Sequence, residues 1–329
     1  MSRIDLVAIG NAIVDVIAQV DDQFLLDNDI ARGAMSLIDT GRAANLYDAM
    51  PAAREISGGS AANTAVGAAM IGCRTAYVGK VRDDQLGRIF GHDIRASGVA
   101  YDGPIAPKAT TLETARSFIL VTPDGERSMN TYLGVSTTLH AEDIDSDLMG
   151  QADWLYLEGY LFDTPEAKQA YANAISAVRQ GGGKIAFTVS DAFCVGRHRE
   201  DMLTLIQSDV DLLFANEAEI TALIGTDDLE PALQGVSHIV ECGAVTLGSE
   251  GAVIIRGDQR TRVAPQAVNV ADTTGAGDLF ASGFLAGMIR GHDDRAAAHM
   301  GCLAAGEVIS HLGARPEADL AEVVSNHGF

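Results

Sequence analysis

No run of lysine or arginine occurs anywhere in the chain, and the charge balance is strongly acidic. There are 23 Lys and Arg against 45 Asp and Glu, a formal net charge of −22 and a pI near 4.5. Such a chain is repelled by nucleic acid and by anionic membrane, so neither is expected as a partner. A small anionic substrate is still allowed, because a pocket can present backbone N–H groups. The four cysteines, Cys73, Cys194, Cys242 and Cys302, show no CxxC spacing. They supply neither a zinc site nor a disulfide framework and read as reduced, buried thiols. No window reaches the roughly 18 uninterrupted apolar residues of a membrane span, and Asp5 and Asp15 interrupt the N-terminal apolar stretch against a signal peptide. A cytoplasmic protein is expected. GxxxxGK[ST], HExxH and GxSxG are also missing. Gly275-Ala276-Gly277 has Phe280 where the third glycine of a dinucleotide fingerprint belongs, which disfavours a Rossmann-type oxidoreductase.

What is present is an ordinary globular composition, 47% hydrophobic and 21% charged, over 329 residues. That length suits one large domain with an appendage. Apolar runs predict strands at Ile4–Gly10, Ile13–Val20 and Thr75–Val81, with helices at Thr40–Met50, Ala61–Ile71 and Asp84–Ala96. Pro123-Asp124-Gly125-Glu126 predicts the turn of a hairpin between Ala115–Thr122 and Arg127–Leu133. From Asp153 a regular alternation follows. Strands are expected at Trp154–Leu157, Lys184–Val189, Val210–Ala215 and His238–Glu241, and helices at Pro165–Gln180, Glu200–Ser208 and Glu217–Ile224. A hairpin (Ala252–Ile255, Arg260–Val263) and helices Ala276–Ile289 and Arg295–His311 complete it. This rhythm predicts an α/β fold with a mostly parallel sheet and helices on both faces. The β-rich stretches near 11–39 and 99–135 fit that alternation poorly. They are expected to form a small β lid on a single domain spanning 1–329.

Five short segments can carry chemistry. Asp272-Thr-Thr-Gly-Ala-Gly-Asp278 opens an apolar helix whose first N–H groups are free to bind an anion, with Asp278 aimed at the same place. An Asp in a first turn also simply favours the helix dipole. Asn216 and Glu219 follow a strand and share a helix face, which suits water-held magnesium and equally a capping box. Thr246, Gly248 and Gly251 lie in a turn that brings backbone close to a phosphate or base, or only joins two strands. Gly58-Gly59-Ser60-Ala61-Ala62-Asn63 opens a helix, either toward polar ligand atoms or as a serine cap on a small-residue helix. Asn11 and Asp15 follow the first strand, and a carboxylate among apolar neighbours invites hydrogen bonds from ligand hydroxyls.

Together these segments resemble the ribokinase/PfkB family of carbohydrate and nucleoside kinases, almost from end to end. Gly125–Gly134, Glu158–Pro165 and Ser190–Arg199 are most similar to bacterial adenosine-kinase-type members. Arg82 stands where the family often has glycine. The resemblance implies a ribokinase-like fold with a β lid, ATP with Mg2+ as phosphoryl donor, and an alcohol acceptor. It implies Asp278 as catalytic base and Gly275, Ala276 and Gly277 as anion hole, with Arg127 of the lid meeting the transferring phosphate. Asn216 and Glu219 would place magnesium through water, Thr246, Gly248 and Gly251 would contact ATP, and Asp272 would be one ligand of a monovalent cation such as K+. Asn11, Asp15, Gly58, Gly59, Ser60 and Asn63 would meet the acceptor, with Met35, Leu133, Tyr160 and Phe193 as apolar plates for a base. The expected reaction is phosphorylation of the 5′-hydroxyl of adenosine. A ribose, fructose or keto-deoxysugar-acid kinase and a non-catalytic nucleoside-binding protein are the alternatives. The expected partner is a small molecule, and the protein a monomer or homodimer.

Overall fold

Sequence patterning along the first strand already implies burial on both faces. In the computed structural model, which describes residues 3–329, β1 (Ile4–Ile9) sends Leu6 and Ala8 to one side and Val7 and Ile9 to the other. All four are fully buried, as a central strand of a parallel sheet requires. The remaining strands are β2 (Ile13–Gln19), β3 (Met35–Leu37), β4 (Arg54–Gly58), β5 (Thr75–Val78), β6 (Ala115–Val121) and β7 (Arg127–Tyr132). They continue as β8 (Ala152–Glu158), β9 (Lys184–Thr188), β10 (Leu212–Asn216), β11 (Cys242–Thr246), β12 (Ala252–Arg256) and β13 (Gln259–Val263).

Eight strands form the large sheet in the order β13-β12-β11-β10-β9-β8-β1-β5, parallel except for the β12–β13 edge. The chain runs outward from β1 to β5, then restarts at β8 on the other side of β1. A topological switch point therefore lies between β1 and β8, and open α/β sheets place ligands at the carboxyl ends of such strands. One face packs helices Ser60–Met70, Ala276–Ile289 and Asp294–Val308, and the other packs Pro165–Gln180, Ala192–Asp209, Glu217–Ile224 and Leu229–Ile239.

A second sheet, β3-β7-β6-β2-β4, has five strands. The hairpin of β6 and β7 turns at Thr122–Gly125, where Gly125 takes a positive φ of 86°. Strand β4 lies outside the two stretches singled out from the sequence, because its charged start hides the alternation of Arg54–Gly58. Two other expectations are corrected. His238 and Ile239 end the helix Leu229–Ile239, whose apolar Leu229, Leu233 and Val236 recur at helical spacing, and the strand begins at Cys242. The helix expected from Glu200 starts at Ala192, capped by Asp191, and breaks its helical dihedrals at His198. All four cysteines are buried and unpaired. Among the described residues no helix is long and apolar enough to cross a membrane.

Candidate active site

The site lies where the carboxyl ends of β1, β8, β9 and β10 meet the starts of two small-residue helices. Those helices, Ser60–Met70 and Ala276–Ile289, approach closely because glycine and alanine line their contact. A Cβ on Gly67 would come within 2.5 Å of Leu279 Cδ1 and Ser282 Oγ. This approach brings together residues more than 200 positions apart. Ser60 Oγ donates to Asp278 Oδ1 at 2.6 Å and Asn63 Nδ2 donates to Asp278 Oδ2 at 2.9 Å. Burial raises the Asp278 carboxyl above its ordinary range, against the pull of Ser60, Asn63 and Arg315. From its place at a helix N-terminus alone, the sequence suggests a carboxylate that stays ionised and is a weak base. Desolvation makes it a better base.

Ahead of Asp278, Gly275 takes a positive φ of 79° as the N-cap of its helix. The N–H groups of Gly275, Gly277 and Asp278 find no acceptor among the described residues. Beside Gly277 there is open space. Free donors at a helix N-terminus facing open space make an anion site.

Asp15, on β2, is 8% exposed and accepts no hydrogen bond from the described residues. Burial pushes its carboxyl up to about 6, against the attraction of Arg315 and Arg127. Gly58 on β4, two positions past Ile56, the register partner of Asp15, has room for no Cβ, which would overlap the Asp15 carboxylate. Gly59 takes φ 96° and turns the chain into its helix.

Sequence reasoning missed Glu158 as a functional position. It ends β8 at the switch point, 1% exposed, and burial pushes its carboxyl up to about 7. Its Oε1 accepts from Asn11 N at 2.8 Å and Asn11 Nδ2 at 2.9 Å, and its Oε2 from Ala61 N at 2.9 Å. One carboxylate thus ties the loop after β1 to the start of the helix Ser60–Met70. A Glu ending an apolar strand run was the available signal. Ser190, just past β9, is a second omission: it holds φ 75° without being glycine, and its Oγ accepts from Gly159 N. A non-glycine residue held there marks a constrained position.

At the carboxyl end of β10, Asn216 and Glu219 form a reciprocal capping box. Glu219 N donates to Asn216 Oδ1 at 2.9 Å, and the Glu219 carboxylate accepts from Asn216 N and Nδ2. Burial, with the charges of Asp191 and Asp278, pushes the Glu219 carboxyl up to about 7. Among the described residues no three His, Cys, Asp or Glu side chains are grouped to hold a metal directly. Thr246 pairs in register with Asn216, and the turn Gly248–Gly251 follows it at the same sheet edge.

The side chain of Arg127, on β7, is buried and paired with Asp272, while its Nε and Nη2 lack a partner among the described residues. Asp272 also accepts from Thr274 N and Gly313 N, and these donors hold its carboxyl below the usual range despite burial. Its charge is balanced by a guanidinium, so this donor set does not fit a monovalent-cation ligand. Among the residues read as base plates, Tyr160 and Leu133 are half-buried, Met35 is 51% exposed and Phe193 is 83% exposed. They do not form a closed pocket. The Arg82 loop is held by its neighbour Asp84, which caps the helix Gln85–Ala96 and bonds Thr114.

A family model described as pfkB family carbohydrate kinase matches residues 4–320. The structure is similar to that of adenosine kinase from Sinorhizobium meliloti, with TM-score 0.91 and 48% identity, covering 99% of this chain and 100% of that one. It is equally similar to a probable sugar kinase protein from Rhizobium etli CFN 42, with TM-score 0.92 and 48% identity, covering 100% and 99%. An uncharacterized sugar kinase of Archaeoglobus fulgidus is 30% identical over 250 residues, 76% of this chain and 97% of its own length.

Proposed function

The chain belongs to the pfkB family of carbohydrate kinases and is a phosphotransferase acting on hydroxyl groups of sugars or nucleosides, and from that premise we propose that its acceptor is the 5′-hydroxyl of adenosine. The observation that carries this reading is a pair of unsatisfied features. Asp15 is a buried carboxylate with no donor among the described residues, suited to ribose hydroxyls. Phe193 is an aromatic ring left 83% exposed where β9 passes into its helix, suited to a base. The 48% identity to an adenosine kinase over the whole chain supports the same choice.

ATP is the donor expected of the family, and bound MgATP supplies the phosphoryl group and its charge neutralisation. The residues present fit it. Free N–H groups at Gly275, Gly277 and Asp278 suit the anionic phosphates, and the orphaned Nε and Nη2 of Arg127 suit the transferring group. Asp191 and Asp278 each repel the Glu219 carboxylate, which a water-held divalent cation would relieve. Asp278 takes the proton of the acceptor hydroxyl, oriented by Ser60 and Asn63. Asn11 and Asp15 hold the acceptor, and Thr246, Gly248 and Gly251 border the nucleotide. Phosphoryl transfer needs mainly such positioning and charge stabilisation.

A sugar acceptor is the second reading, favoured by two relatives bearing the name of sugar kinase. An ADP-release assay with adenosine, ribose, fructose and keto-deoxysugar acids decides between them. Turnover of adenosine well above every free sugar is expected, and the reverse order overturns the proposal.

A further inference from the structure

Three successive residues past the last long helix each touch a different wall of the site. Gly313 N donates to Asp272 Oδ2 at 2.8 Å, at the entrance to the anion loop. Ala314 lies against Gly275, where an added Cβ would come within 2.9 Å of the alanine methyl. Arg315 reaches the acceptor loop. Its Nε donates to Ser57 O at 2.9 Å, its Nη2 to Ser57 Oγ at 2.9 Å, and its Nη1 to Ala62 O at 3.3 Å. Ser57 is held from the other side by Asp93, which accepts from its N–H and its hydroxyl. The guanidinium therefore bridges the end of β4, just before Gly58-Gly59, and the first turn of the helix that carries Asn63.

We infer, on the reading above of Asp15 and Asp278 as acceptor-facing carboxylates, that Arg315 is a positioning residue for phosphoryl transfer: it fixes the Gly58–Asn63 loop and supplies the buried positive charge that keeps both carboxylates ready to receive a hydroxyl. Its charged and titratable surroundings are Asp93 from helix Gln85–Ala96, Asp15 from β2, Asp278 from helix Ala276–Ile289 and Tyr77 from β5. Arg127 from β7 also faces Asp15, and Glu158 and Asp278 face each other. Three neutral acceptors do not require a full charge, and a buried guanidinium among them is costly unless carboxylates nearby answer it. Arginine retains its proton even when buried, so the charge is permanent. It offsets the repulsion that would otherwise raise the pKa of Asp15 and Asp278 together.

The test is kinetic, on the full-length enzyme with whichever alcohol it turns over best. Arg315→Gln is expected to lower kcat/KM for the acceptor about tenfold or more, with KM for ATP within about twofold. The acid limb of the kcat/KM profile should move up by about one pH unit as the cation is lost. Arg315→Lys keeps the charge and loses the fork, so its acid limb should stay at the parent pH while acceptor kcat/KM falls. An unmoved acid limb in folded Arg315→Gln overturns the inference even if activity drops. If that variant does not fold, an acid limb displaced in Arg315→Lys, or an equal loss for acceptor and ATP, overturns it. A failure of adenosine as substrate strikes the acceptor assignment alone, because the pH limb can be read with any accepted alcohol.

Discussion

Asn63 donates its side-chain amide to Asp278 at 2.9 Å across 215 positions of sequence, so the first turn of one small-residue helix orients the group proposed as base on the other. The contact exists because Gly67 and its small neighbours let two helices approach until only a methyl-sized change would separate them.

Asp278→Asn should abolish transfer while leaving fold and ATP binding nearly intact. The carboxamide keeps the volume but cannot take the hydroxyl proton, a loss on the order of 10²–10⁴-fold. Steady-state turnover checks it, and a rate within about threefold of the parent is incompatible with a catalytic base.

Glu219→Gln should raise the magnesium needed for half-maximal rate more than it raises KM for the acceptor. The amide keeps one cap acceptor for Asn216 and loses the negative charge. Magnesium titration at saturating ATP reads the effect. An unchanged requirement would leave Glu219 as a helix cap alone.

Gly58→Ala should cost about 1–3 kcal/mol of stability and most of the acceptor affinity, since the new methyl overlaps the Asp15 carboxylate. Calorimetry with adenosine and with ATP separates the two ligands. Equal loss for both would mean that the loop is not specific to the acceptor.

Phe193→Ala should weaken adenosine more than ribose, because an exposed ring gains by covering a base, roughly 1–3 kcal/mol by analogy with stacking in nucleic-acid sites. Ribose bound as tightly as adenosine, or an unchanged adenosine affinity, counts against the base-plate role.

Thermal stability should rise as pH falls from about 8 toward 5.5. Asp15, Glu158 and Glu219 have pKa values raised to about 6, 7 and 7. In that window the folded chain binds protons that the unfolded chain does not, so their contribution is present at low pH and lost as pH rises through the folded values. Melting curves across pH test the slope, and Glu158→Gln should flatten it. A Tm that climbs steadily toward pH 8 contradicts the assignment of these three groups.

Much of the fold was legible in the chain. Apolar runs, turn residues and the strand–helix rhythm marked β1, the β6–β7 hairpin and the alternation from β8 onward, because these follow from local periodicity. The loops at Gly58–Asn63 and Asp272–Asp278 were legible for the same reason, since glycine clusters announce backbone that must turn or leave N–H groups free. Strand β4 and the helix Leu229–Ile239 were not, one having a charged start and the other apolar residues that suit either period. The partners of Glu158, Ser190 and Arg315 were invisible too, as was the union of Asp272 with Arg127. Each depends on a partner far away in sequence, and on desolvation that arises only when the sheet edge, the two small-residue helices and the chain past Ile309 close around one another. Local pattern names the residue types; the pKa, the orphaned donor and the buried charge are properties of the packed neighbourhood.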